Sequence, residues 1–143
     1  MSDTTKTGVH WSFWVISILM LVWNALGAVN YLGQTSPEIV ASMPENHQAI
    51  ILGRPAWATA GFAVAVFGGV LGCLLLLFRR SLALPVFIVS LLGVLVTTLH
   101  TFGVVQKVAF SSGELVLMVL MPIVVALLLV WYALHARKAG WLR

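Results

Sequence analysis

From Trp11 to Gly33 this chain runs for 23 residues without a charged side chain. Three more such runs follow: 24 residues from Pro55 to Phe78, 24 from Leu82 to Val105 and 22 from Leu115 to Ala136. About 20 helical residues, rising about 1.5 Å each, cross a bilayer core of roughly 30 Å, so every run is long enough to span. In lipid each backbone N–H and C=O needs a partner within the protein, and a helix supplies all of its own. The pattern therefore predicts an all-α integral membrane protein, a four-helix bundle with up-down antiparallel topology. Residues 1–143 form a single domain with spans at about 11–33, 55–78, 82–105 and 115–136. Only the loop from Gln34 to Arg54 has room for a short helix of its own.

Composition excludes the other classes. The chain is 61% hydrophobic and 8% charged, against about 45–50% and about 25% in soluble domains. Cys73 is the one cysteine, so no disulfide framework exists within the chain. Ala25-Leu26-Gly27 resembles a signal-peptide cleavage site. The apolar run nevertheless continues through Tyr31 and opens with Trp11 and Trp14, an interfacial belt, so the first span is expected to be retained.

Lys and Arg placement predicts an orientation. Lys6, Arg79, Arg80, Arg137, Lys138 and Arg143 fall on one side of the four spans, and only Arg54 and Lys107 on the other, with Glu38, Glu45 and Glu114. By the positive-inside bias both termini are cytoplasmic and the 34–54 loop is external. The formal charge of +4 then reflects topology and contact with anionic lipid in the bilayer, with no nucleic acid as partner.

Small and polar residues mark the helix faces that pack. On the second span Gly61, Ala65, Gly69 and Cys73 form an unbroken i+4 ridge, and Gly68 with Gly72 makes a GxxxG. Such ridges let backbones approach closely in lipid, whether inside the bundle, in a homo-oligomer or against a larger membrane complex. The third span carries Ser90, Gly93, Thr97, His100 and Thr101 on one face, and the first Ser17, Met20, Asn24, Gly27 and Tyr31. The fourth has Met118, Pro122, Ala126 and Ala133, and Pro122 is expected to kink it.

Chemistry-bearing groups are few. His100 is the one histidine inside a span away from its end. It lies about five residues, or roughly 7–8 Å, below the external boundary. An ionisable group at that depth is either a hydrogen-bonding strut or a ligand-handling group. Asn24, Tyr31, Trp57, Thr97, His100 and Glu114 together form the candidate substrate chamber, open to the external side, with Asn24 near its floor. Met118, Met121 and His100 are a weak Cu(I) set, since methionine in an apolar helix is ordinarily core filler. No second histidine stands at the depth that haem ligation would need, so neither metal nor cofactor is expected. His10, His47 and His135 are expected in solvated interfaces or loops. No catalytic motif such as GxSxG, HExxH, CxxC or a phosphate loop is present, and no enzyme is expected.

Trp23-Asn24-x-x-Gly27, Pro55-Ala56-Trp57-Ala58, Phe67-Gly68-Gly69-x-Leu71-Gly72, Met121-Pro122 and the Gly140-Trp141 tail are carried in combination over nearly the whole chain. The combination resembles a family of small four-helix bacterial inner-membrane proteins, some of them loosely labelled sugar transporters. The resemblance implies four spans, a bacterial inner membrane and a polar position late in the third span, matched by His100. Two functions remain open from the sequence. One is permeation or binding of a small neutral polar solute by an oligomer; the other is an accessory subunit docking through the glycine ridge.

Overall fold

A computed structural model of the chain describes residues 9–143, so Lys6 lies outside the described residues. The first long helix, α1 (Trp11–Gly33), begins where His10 Nδ1 accepts the Ser12 backbone N–H, and ends at Gln34. Two short helices follow in the first loop, α2 (Pro37–Ala41) and α3 (Glu45–Leu52), each started by a proline at or just before its first turn. Pro55 launches α4 (Ala56–Leu77), and a tight turn leads into α5 (Ala83–Val105). The last span is one 27-residue helix from Ser112 to Lys138. It is built from α6 (Ser112–Leu115), a π-helical turn (Val116–Leu120) and α7 (Met121–Lys138). Pro122 has no N–H to give and crowds the preceding turn, and the π-helical turn at 116–120 is where the backbone absorbs that defect.

Neighbouring long helices run antiparallel. Asn24 meets Cys73 while Tyr31 meets Phe62, so α1 descends as α4 ascends. Gly61 faces Gly93 and Gly72 faces Phe87, which sets α5 against α4. Phe13 stacks with Tyr132 at a 6.2 Å centroid separation and closes the bundle between α1 and α7. The fold is thus an all-α, up-down bundle of four helices long and apolar enough to span a membrane, with no strand among the described residues. Its outer surface is apolar: Leu19, Leu99 and Trp131 are 63%, 69% and 60% exposed. A contiguous apolar coat of this extent suits lipid and not water.

The ridge on α4 is spent inside the chain. A Cβ at Gly93 would fall 2.6 Å from the Gly61 carbonyl oxygen, so these two backbones touch. Gly72 leaves the space that the Phe87 ring fills, and Gly68 lies against Ser90. Gly69 serves the other neighbour, with the Asn24 carboxamide seated over it. Ser90 Oγ donates to the Ala65 carbonyl at 2.7 Å, a buried bond between α5 and α4.

The two ends of the bundle differ. At the end bearing the termini, Phe13, Leu76, Phe87, Leu129 and Ala133 form one packed core. The tail seals it. Arg143 N–H donates to the Arg79 carbonyl at 2.8 Å, Ser81 N–H to the Arg143 carbonyl at 2.7 Å, and Arg79 Nε to the Trp141 carbonyl at 2.8 Å. Arg79 adopts a positive φ of 58° in the turn, the left-handed residue that terminates α4. Arg80, Arg137 and Lys138 gather at this same end. At the opposite, loop-bearing end the buried apolar cluster shrinks to Ala65, Val94 and Ala126.

Candidate functional site

In place of packed side chains the loop-end half holds a cavity of about 580 Å³ lined by all four long helices. Small-molecule sites commonly occupy about 300–1,000 Å³. Its floor is made by Asn24, Ser90, Val125 and Leu129, level with the top of the packed core. Its walls include Asn30 of α1, Phe62 and Val66 of α4, Thr97, Thr98 and Thr101 of α5, and Met118 and Pro122 of the last span. The roof is α3 with its flanks: Met43, His47, Ile50, Ile51 and Arg54.

Asn24 is buried, 8% exposed. Its Nδ2 donates to the Met20 carbonyl at 2.8 Å and approaches Cys73 Sγ at 3.7 Å. Those bonds fix the carboxamide plane and use its donors within the protein. The threonine hydroxyls are partly spent in the same way, Thr101 Oγ1 donating to the Thr97 carbonyl at 3.2 Å.

Two histidines hold the roof. His100 Nε2 lies 3.1 Å from the Ile50 carbonyl oxygen. A carbonyl only accepts, so that nitrogen carries the proton. The Ile50 carbonyl belongs to the last turn of α3, where helix carbonyls lack intrahelical partners, and the imidazole satisfies it. At the other end of α3, His47 Nε2 is 2.9 Å from Glu114 Oε1, and Asn46 Nδ2 donates to the same carboxylate at 3.2 Å and to the Ala109 carbonyl at 3.3 Å. Glu114 also completes a capping box: its Oε2 accepts the Ser111 N–H at 2.8 Å, and Ser111 Oγ accepts the Glu114 N–H. One carboxylate therefore starts the last span and anchors the roof.

Arg54 is the cation of the cavity. Its guanidinium lies over the Phe62 ring, 5.0 Å from the centroid, a cation–π distance. Its Nε is buried without a hydrogen-bond partner, as is Oε1 of the neighbouring cavity residue Gln34. Burial pulls the Arg54 pKa below its ordinary value, opposed in part by Tyr31. Arginine nonetheless stays protonated in proteins, so the charge persists.

Of the six chamber residues read from the sequence, Asn24 and Thr97 line the cavity. His100 turns away to Ile50, and Trp57 meets it edge-on at 6.4 Å, 53% exposed on the bundle's flank. Tyr31 packs edge-on against Phe62 and Phe67 at 5.3 and 5.5 Å. Glu114 reaches the site only through His47. Met118 is on the wall and His100 is not, so the soft-donor set is not gathered at the cavity. His47, expected to be solvated, is half-buried in the roof because Glu114 and Phe110 hold it there. Arg54, counted in the sequence only as a surface charge for topology, is the largest omission. The signal available was its place as the single cation of the first loop, flush with the start of a span, where long basic side chains lie along apolar surface.

No protein-family model matches the chain, and neither a curated protein nor a solved structure does.

Proposed function

We propose that this protein is a multi-pass membrane protein that binds a small solute in its loop-end cavity. The observation that carries this reading is the contrast between the two halves of one bundle. The cavity of about 580 Å³ stops at Asn24 and Leu129, and below it the packed core and tail close the way. A single bundle in this conformation binds but does not conduct. Transport would need a second conformation or a second copy, as thin scaffolds generally do. The basic cluster beside the tail supports a cytoplasmic placement for that end, with the cavity opening on the external side of a bacterial inner membrane. The accessory-subunit alternative relied on a free glycine ridge, whereas Gly61, Ala65, Gly69 and Gly72 are buried against α1 and α5.

The test uses the full chain in phosphatidylcholine nanodiscs with a neutral photoactivatable probe, dodecanol carrying a diazirine. Saturable labelling of the wall segment around Met118 and Pro122 is expected, lost in Thr98→Trp and Met118→Trp, each of which fills the cavity from a different wall. Retained thermal stability shows that the variants fold. Labelling spread evenly over lipid-facing residues such as Leu19 and Leu92, and unchanged by both variants, would overturn the reading.

A further inference from the structure

The cavity's chemistry is divided along its length. Under its roof lie Arg54, Gln34 and Asn30, with Gln34 Nε2 donating to Asn30 Oδ1 at 3.3 Å; Thr97, Thr98 and Thr101 follow on the wall, and Val94, Val125 and Leu129 lie toward the floor. Asn24 and Gln34 mark the two levels on α1. Ten residues separate them, which is roughly 15 Å of helical rise. Asn24 and Ser90, the polar residues at the floor, have their donors committed, Asn24 to Met20 and Cys73 and Ser90 to the Ala65 carbonyl.

The Arg54 guanidinium is arranged to receive an anion. Its Cζ lies over the Phe62 ring, and Nε is buried with nothing to donate to. Among the described residues no carboxylate lines the cavity, and Glu114, which anchors its roof, is already held by His47, Asn46 and Ser111. A half-buried cation without a counter-ion is costly, and an anionic group at this spot offsets that cost with charge-assisted hydrogen bonds.

The cavity also has a side entrance. Near the terminal end α1 and α7 are joined by Phe13 and Tyr132. Towards the loop end Trp23 and Leu26 of α1 and Leu117 of the last span line the cavity and are at the same time 36%, 63% and 62% exposed on the bundle's outside. Side chains that belong both to the wall and to the lipid-facing surface mark an open seam between the two helices.

From the unpaired guanidinium above, the apolar floor below and the apolar seam beside them, we infer that the cavity takes a single-chain amphiphile with an anionic head, of the fatty-acid class. It enters sideways from the bilayer, seats its head on Arg54 and lays its chain toward Leu129. This rests on the binding reading above and replaces a neutral polar solute with an anionic, chain-bearing one. Two chains exceed what about 580 Å³ holds beside a head group, so a single chain is the fit.

The experiment measures competition against the neutral diazirine probe in the same phosphatidylcholine nanodiscs. Dodecanoate is expected to displace the probe at about one-tenth the concentration that dodecanol needs, a preference of about 1.4 kcal/mol. Arg54→Gln should erase the preference, and Lys107→Gln, at an exposed loop cation, should leave it intact. Acetate, a head without a chain, should not compete. If dodecanoate and dodecanol compete equally, or the preference survives Arg54→Gln or falls equally with Lys107→Gln, the anionic-head inference fails although solute binding stands. If phosphatidylglycerol added to the nanodisc displaces the probe as well as dodecanoate does, the occupant is bilayer lipid and the single-chain assignment fails. Absence of any saturable cavity labelling would sink both.

Discussion

His100 donates its Nε2 proton to the Ile50 carbonyl across 3.1 Å, tying α3 of the first loop to the third span. The bond reaches across 50 residues of sequence, and it satisfies a carbonyl that α3 itself leaves unpaired. His100 is therefore a strut of the cavity roof.

His100→Ala leaves the buried Ile50 carbonyl without a donor and is expected to cost about 1–3 kcal/mol. Thermal unfolding in mild detergent reads the loss, and hydrogen exchange should quicken in α3 more than in α4. His100→Gln, which keeps a donor, should recover part of the stability. An alanine variant as stable as the parent, with α3 equally protected, would refute the strut.

Gly69→Ala drives a methyl group into the Asn24 carboxamide. Overpacking of this kind costs about 1–3 kcal/mol. The double variant Asn24→Ala with Gly69→Ala removes the collision and should be more stable than Gly69→Ala alone. Coupling measured in a double-mutant cycle checks it, and simple additivity of the two changes would contradict the contact.

Gly72→Leu and Gly61→Leu are expected to lower thermal stability by about 1–3 kcal/mol or more, because Phe87 and Val96 already occupy the space. Mass measurement of the detergent complex should show the oligomeric state of the surviving folded fraction unchanged. Dissociation of an assembly with stability intact would instead place the ridge at an interface.

Glu114→Gln preserves the capping-box geometry, since glutamine also serves at that position, but removes the charge that holds His47. Glu114→Ala removes both functions. The expected order of melting temperature is parent, then Gln, then Ala. Exchange in α3 should rise in both variants; equal melting temperatures for Gln and Ala would separate the box from the anchor in the opposite sense.

Orientation is accessible to cysteine labelling in a Cys73→Ser background. Glu45→Cys should react with a membrane-impermeant maleimide in intact cells, and Arg80→Cys only after permeabilisation. Reaction of both from the same side would remove the external placement of the cavity.

The fold was legible because lipid imposes a crude rule: long uncharged runs must be helices, and four of them with short connections must alternate. Asn24 was legible for a related reason, since one strongly polar side chain mid-span has to turn inward and a glycine on the next helix gives it room. His100 was visible as unusual, but its partner is a backbone carbonyl on a loop helix, and carbonyls have no sequence signature. Thr101, on the same face of the third span, bonds instead within its own helix to the Thr97 carbonyl. Arg54 escaped because a residue name two positions ahead of a helix does not say which way a long side chain folds. Its direction is set by Phe62, two turns farther on.

A bundle filled at one end and empty at the other does not loosen evenly. Where Phe13, Tyr132 and the tail meet, side chains and backbone bonds clamp the helices; around the cavity few contacts resist their parting. Thermal agitation should then work the molecule like a clothes-peg, with its spring at the tail and its jaws at the seam between Leu26 and Leu117. Breathing of that kind widens the mouth without ever unsealing the far end.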